Sequence, residues 1–232
     1  HMVENNKLEK ARLKAELNDR LRRCNEVSDT LPGQLMTPEL KLLLSKLLLQ
    51  FSEHMLPLDK HNAALKARIE ELRGLIAKGE AIPVRNPPQP IQSEAKAKEI
   101  RFLLENLHGV INRAAQDKML AANEAKHWSQ EIRHMLVLLH IEFFTSQGQQ
   151  ALQQGQPGQA RLAFERGVQY LHKQSDPVRY QAQLKQLERQ LAQANAMVLE
   201  TSKPTDAEHN ELADGLESLE ADADWKKNNI YD

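Results

Sequence analysis

The strongest constraint on this chain is a long proline-free stretch that carries a regular apolar repeat. No proline occurs between Pro90 and Pro157, and apolar or small residues recur within this stretch at alternating spacings of four and three. The stripe comprises Ile100, Leu104, Leu107, Ile111, Ala114, Ala121, Ala125, Trp128, Ile132, Met135 and Leu139, and only Lys118 breaks it. Such spacing marks one face of an α-helix, so residues 94–145 are predicted to form one long helix. A hairpin turning near Gln116 and Asp117 is the alternative, because the stripe weakens there.

Proline and glycine divide the N-terminal part into three helical segments. The first covers about residues 3–27 and has a narrow apolar face. Thr37 and Pro38 supply the hydroxyl N-cap and the first-turn proline that commonly begin a helix. The helix they begin is apolar on more than one face, so we expect it to form the core of this half. Pro57 begins a third helix, which ends before Gly79.

The segment at 80–93 contains four of the ten prolines, a density that excludes a helix and favours an extended, semi-rigid connector. No window of the sequence favours β-strands. We therefore predict an all-α protein with an N-terminal helical module at 1–79 and a proline-rich linker at 80–93. A long helix and a helical hairpin domain are expected at 94–200, and an acidic, mostly disordered tail at 201–232.

A short stretch at 147–171 has small residues where two antiparallel helices could approach closely. Its small, seam-filling and turn positions are Gly148, Ala151, Leu152, Gly155, Ala160, Phe164 and Gly167. This pattern resembles one tetratricopeptide repeat, although Phe144 stands where that repeat has its leading tryptophan. The resemblance implies a helical hairpin that must pack against the long helix or a second subunit, because one repeat cannot bury its own faces. An ordinary αα-hairpin is the alternative.

Charge is distributed unevenly along the chain. Residues 205–232 hold nine acidic side chains and two lysines, a net charge of −7, whereas residues 1–204 carry +6. Too few apolar residues are present for the tail to fold alone. It nevertheless has an apolar edge and a terminal apolar cluster, formed by Leu212, Leu216, Leu219, Trp225, Ile230 and Tyr231. These features predict a tail that docks on a groove lined with basic and apolar residues, on a partner or on its own body.

Residues that could carry chemistry are sparse. The pairs Glu105/His108 and Glu131/His134 have the spacing of di-iron carboxylate ligands, but they fall beside the apolar stripe, so surface contacts are expected instead. Cys24 lies on the apolar side of its helix, where a thiol usually behaves as a small hydrophobe. A single cysteine also excludes an intramolecular disulfide framework. We expect no enzyme activity, no metal and no cofactor.

Nucleic-acid binding is the alternative function, because the first helix carries many basic residues. The candidate phosphate contacts are Lys10, Arg12, Lys14, Arg20, Arg22 and Arg23. Acidic residues on the same helix and the absence of stacking aromatics count against this alternative.

The sequence favours a non-catalytic, cytoplasmic adaptor or scaffold that binds protein partners. Its mean hydropathy is −0.61, and no window approaches the ~20 apolar residues of a membrane helix. A homodimer is expected, because a narrow heptad stripe on a long helix needs a partner helix.

Overall fold

The computed structural model describes residues 1–201 and 215–217, and in this part of the chain it confirms the all-α fold. The helices are α1 (Met2–Thr30), α2 (Pro38–Met55), α3 (Ala63–Ala77), α4 (Glu94–Gln116), α5 (Ala122–Gln153), α6 (Pro157–His172) and α7 (Gln181–Glu200). They form two compact units. The first unit comprises His1–Gln89 and Phe102–Ile132, and the second comprises Pro90–Arg101 and the described residues from Arg133 onward. These units differ from the predicted domains, because α4 and α5 each contribute to both.

Helix α2 lies at the centre of the first unit. The Thr37 hydroxyl caps it by accepting a 3.1 Å hydrogen bond from the Leu40 N–H, as the sequence predicts. Half of the helix is buried, on a face wide enough to contact α1 on one side and α3 on the other. Leu44 and Phe51 on this face are completely buried. The third helix begins later than expected, at an N-cap formed by Asn62.

Residues 82–89 of the proline-rich segment are extended, and within the first unit they pack against the end of α1 and the residues that follow it. The Asn86 amide donates to the carbonyls of Ser28 and Leu31 at 3.0 and 2.9 Å. The Gly33 N–H donates to the Pro87 carbonyl at 3.0 Å. A Cβ at Gly33 would lie 2.2 Å from the Asn86 carbonyl oxygen, so glycine permits this close approach.

The predicted single helix across 94–145 is wrong, because the chain breaks between α4 and α5. Helix α4 ends at Gln116, and Lys118 adopts a left-handed conformation with φ 59°. The Met119 N–H then bonds back to the Ala114 carbonyl at 2.8 Å, a pattern typical of helix C-termini. Near the other ends of these helices, the Gln147 side chain donates to the Gln92 carbonyl at 2.7 Å. The alternative, a hairpin turning near Gln116, is therefore the arrangement found.

Helices α6 and α7 pack extensively on each other in the second unit. The connection from α5 to α6 is short because Gly155 takes φ +70°, after which Pro157 begins α6. A Cβ on Gly167 of α6 would lie 3.1 Å from the Leu187 side chain of α7 and 3.2 Å from Phe144 of α5. Small residues thus bring three consecutive helices close together.

Candidate functional site

The repeat-like residues lie at the seam between the end of α5 and α6. A Cβ on Gly148 would lie 2.2 Å from the Phe164 ring, which is completely buried. Ala160 is also completely buried, and Ala151 is 5% exposed. Leu152 is half-buried, and Gly155 is exposed in the turn. The packing is that of a close αα-hairpin, although α5, at 32 residues, is much longer than one helix of a repeat.

The tail returns to the second unit at one described point. Gly215, Leu216 and Glu217 form a helical turn, and the Leu216 side chain is completely buried. Leucine at this position belongs to the apolar edge that the sequence analysis identified. The remaining tail residues of the prediction lie outside the described residues: Leu212, Leu219, Trp225, Ile230 and Tyr231.

Arg166 and Glu94 of the second unit border this turn. We call these two side chains and the surface around them the tail-docking surface. Arg166 of α6 donates from Nη2 to Oε1 of Glu217 at 3.0 Å. Glu94, in the first turn of α4, has a carboxylate oxygen 3.2 Å from where a Cβ on Gly215 would lie. The Glu94 carboxylate therefore lies close to the tail backbone at Gly215, and Glu217 provides the negative charge that attracts Arg166.

Both side chains lie on helical segments that are held by close packing or by a cap. Arg166 lies between Phe164 and Gly167, which fix α6 against its neighbours. The Ser93 hydroxyl caps α4 by accepting a 3.1 Å hydrogen bond from the Lys96 N–H, which fixes the position of Glu94. Neither residue is predicted from the sequence, because nothing in the local sequence distinguishes Arg166 from other helix-surface arginines.

Most of the predicted phosphate contacts on α1 are paired with carboxylates of the chain. Ion pairs join Lys14 to Asp59 at 3.7 Å, Arg22 to Asp19 at 2.6 Å, and Arg23 to Asp19 at 3.1 Å. Lys10 and Arg12 are exposed near the N-terminal end of the helix, as are Glu4 and Glu9.

Arg20 has a structural role in the first unit. Its guanidinium lies 4.5 Å from the centre of the Phe51 ring and donates to Asp117 at 2.7 Å. Asp117 also accepts from Arg113 at 3.1 Å, and Arg113 pairs in turn with Glu16. Desolvation of the Asp117 carboxyl group opposes its ionisation. The hydrogen bonds from Arg113 and Arg20, with the charges of these residues, have the larger combined effect and lower its pKa.

A cleft of about 210 Å³ lies beside these residues in the first unit. Its lining comprises Glu16, Asp19, Arg20, Arg23, Phe51, Gly109, Val110 and Arg113. All three arginines already pair with carboxylates, so they have little remaining capacity to attract an anion. We assign no ligand to this cleft.

The histidines of α5 participate in packing. The ring of His134 is half-buried and stacks on Tyr180, and its Nδ1 lies 2.8 Å from the Tyr180 hydroxyl. His140 is completely buried, stacks on Tyr170 at 4.9 Å between ring centres, and its Nδ1 lies 2.6 Å from the Leu136 carbonyl. The ring of His108 lies 3.2 Å from the Asn112 amide. Within residues 1–201 and 215–217, no group of three or more His, Cys, Asp or Glu side chains could hold a metal ion.

Cys24 is completely buried, with its Sγ 3.7 Å from the Leu44 carbonyl. Burial raises the pKa of the thiol from 9.0 to about 12. The thiolate needed for nucleophilic chemistry is therefore strongly disfavoured at neutral pH.

Among the helices that the structure describes, none combines the length and apolar character needed to cross a membrane. Comparison of the chain with protein-family models, with curated proteins and with solved structures finds no match, so the resemblance to a tetratricopeptide repeat stays a prediction.

Proposed function

We propose that this protein is a non-catalytic, cytoplasmic adaptor or scaffold that binds protein partners through the helical surfaces of its second unit and through its acidic tail. The observation that carries this proposal is the docking of one tail turn, in which Leu216 is completely buried and the adjacent Glu217 pairs with Arg166 of the tail-docking surface. The second unit thus pairs with a carboxylate of a short peptide turn that also carries a buried leucine. Apolar anchors combined with charge pairs are what peptide-binding surfaces of proteins use for retention and selectivity.

The use of reactive side chains in packing supports a non-catalytic role. Cys24 is buried with a raised pKa, and His134 and His140 stack on tyrosine rings. The arginines of the cleft in the first unit are engaged by carboxylates. These side chains therefore stabilise the fold and are poorly placed for chemistry on a substrate.

The alternative, a nucleic-acid-associated protein, receives less support. Four of its six candidate residues, namely Lys14, Arg20, Arg22 and Arg23, form ion pairs with Asp59, Asp117 and Asp19. Phosphate binding through them would have to compete with these intramolecular carboxylates.

Affinity capture of the full-length chain tests the proposal. The tagged protein and its Arg166→Glu and Arg189→Glu variants would be incubated with lysate of the source cells, with and without nuclease. Arg189 is the matched control because it is exposed on α7, where it donates a 2.8 Å hydrogen bond to Gln186 of the same helix.

We expect a set of proteins that is recovered equally with and without nuclease, reduced at least tenfold by Arg166→Glu and unaffected by Arg189→Glu. Recovery no greater than with the tag alone, or equal recovery by all three chains, would contradict the proposal. Recovery that disappears with nuclease would favour the nucleic-acid alternative.

A further inference from the structure

The tail-docking surface recognises features that any acidic segment with a suitably placed leucine could present. The described features of the docked turn are a buried apolar side chain, an ion pair with Arg166, and a close approach of the Glu94 carboxylate to Gly215. These features lie within three residues. The described part of the docked tail is one helical turn, Gly215 to Glu217.

Charge favours the same type of ligand. Residues 1–204 carry a net charge of +6, and the docked turn belongs to a segment in which acidic residues recur around Leu212, Leu216 and Leu219. Opposite net charges accelerate encounter, whereas the buried leucine slows dissociation. Arg166 has a side chain that is 25% exposed, so it is accessible from solvent at the edge of the contact.

We propose that the tail-docking surface binds acidic, leucine-bearing segments of other proteins, and that Gly215–Glu217 of the same chain occupies it as an intramolecular competitor. This inference rests on the proposed adaptor function and identifies the chemistry of its partner. The partner segment presents a leucine followed directly by a carboxylate, so that it can replace Leu216 as the buried side chain and Glu217 at Arg166.

Covalent tethering makes the competition strong. Fourteen residues separate the end of α7 at Glu200 from Gly215. A short tether holds a ligand at an effective concentration in the millimolar range. For a tail that binds with an intrinsic Kd of about 10 µM, a segment of another protein therefore binds the free surface roughly 100-fold more tightly than the surface occupied by the tail.

Fluorescence anisotropy on full-length chains tests this inference. The probe is a fluorescein-labelled peptide with the sequence of residues 205–224, and a probe carrying Leu216→Asp is its control. The chains are the wild type, Leu216→Asp, and the double variant Leu216→Asp/Arg166→Glu. Circular dichroism of each chain verifies that the helical content is unchanged.

We expect the Leu216→Asp chain to bind the unmodified probe at least tenfold more tightly than the wild type does, and the control probe to bind neither chain. Arg166→Glu should abolish binding of the unmodified probe to the Leu216→Asp chain. A probe with Glu217→Arg should restore it, which a misfolded surface could not do.

Equal affinity of the wild-type and Leu216→Asp chains for the probe would overturn the intramolecular competition. If no chain binds the probe while Arg166-dependent partners are still captured from lysate, the ligand chemistry inferred here is wrong and the adaptor function stands. If capture fails as well, the adaptor function itself is contradicted.

Discussion

Gly148 determines how closely α5 and α6 approach. A side chain at this position would intrude on the Phe164 ring, which is completely buried and has little room to move. We predict that Gly148→Ala lowers the free energy of unfolding by about 1–3 kcal/mol, because overpacking outweighs the helix propensity gained. Thermal or urea unfolding followed by circular dichroism measures the change.

Gly109 is the matched control for this prediction. It also lies in a helix interior, but nothing within 4 Å would contact an added Cβ. Gly109→Ala should therefore stabilise the chain by up to about 1 kcal/mol. Equal effects of the two substitutions would mean that the seam between α5 and α6 is not closely packed.

Cys24 provides a second test at the scale of one residue. Its burial predicts that the thiol of the folded chain reacts with a disulfide reagent at pH 8 at least 100-fold more slowly than the thiol of the urea-unfolded chain. The reason is that reaction needs both access and a thiolate, and the raised pKa suppresses the thiolate. The absorbance of the thiol released from the reagent measures the rates for the folded and the unfolded chain. Similar rates would contradict the burial of Cys24.

The same pKa determines how Cys24 affects stability in alkali. The folded pKa of about 12 lies above the unfolded value of 9.0, so the folded chain retains the proton longer. The contribution of the protonated thiol to the free energy of unfolding is complete below pH 9.0 and is lost as the pH rises toward 12. Relative to wild type, Cys24→Ala should therefore show a weaker decline in stability across this range.

The turn between α4 and α5 depends on backbone conformation rather than on side-chain packing. Lys118 is exposed and has φ 59°, which glycine adopts without the steric cost that other residues incur. We predict that Lys118→Gly raises the free energy of unfolding by about 0.5–1 kcal/mol, and that the β-branched Lys118→Val lowers it. Urea titrations of the two variants measure these changes.

Lys126 is the matched control for Lys118, since it is also exposed but lies inside α5. Lys126→Gly should destabilise the chain by roughly 0.7–1 kcal/mol, the ordinary cost of glycine within a helix. If glycine destabilised both positions equally, the helix would continue through Lys118 and no turn would form there.

At the scale of the whole molecule, homodimer formation stays a prediction. The apolar stripe that motivated it is buried within a single chain, for example at Leu107, Ile111 and Ile132. A dimer would therefore need another face, and exposed apolar side chains remain at Val178 and Leu199 of the second unit. Sedimentation velocity at tens of micromolar should show a species of twice the 26.5 kDa chain mass. A species of 26.5 kDa throughout this range would contradict the prediction.

Local sequence signals determined much of the architecture. The start of α2 follows from the Thr37 hydroxyl and the ring of Pro38, because both act within one turn of the helix. The stripe through Ile100, Leu107 and Ile132 identified buried positions correctly, since helical periodicity depends only on spacing along the chain. The same spacing places Leu216 on a predicted apolar edge, and its side chain is buried.

Only the tertiary structure decided the features that depend on distant parts of the chain. The choice between one long helix and a hairpin turning near Gln116 could not be made from the sequence, because apolar spacing continues in register whether the helix runs on or folds back. The contacts of Asn86 with Ser28 and the pairing of Arg166 with Glu217 join residues more than 50 positions apart. Such contacts leave no periodic or capping signal, because their partners are brought together by packing of whole helices rather than by the local backbone.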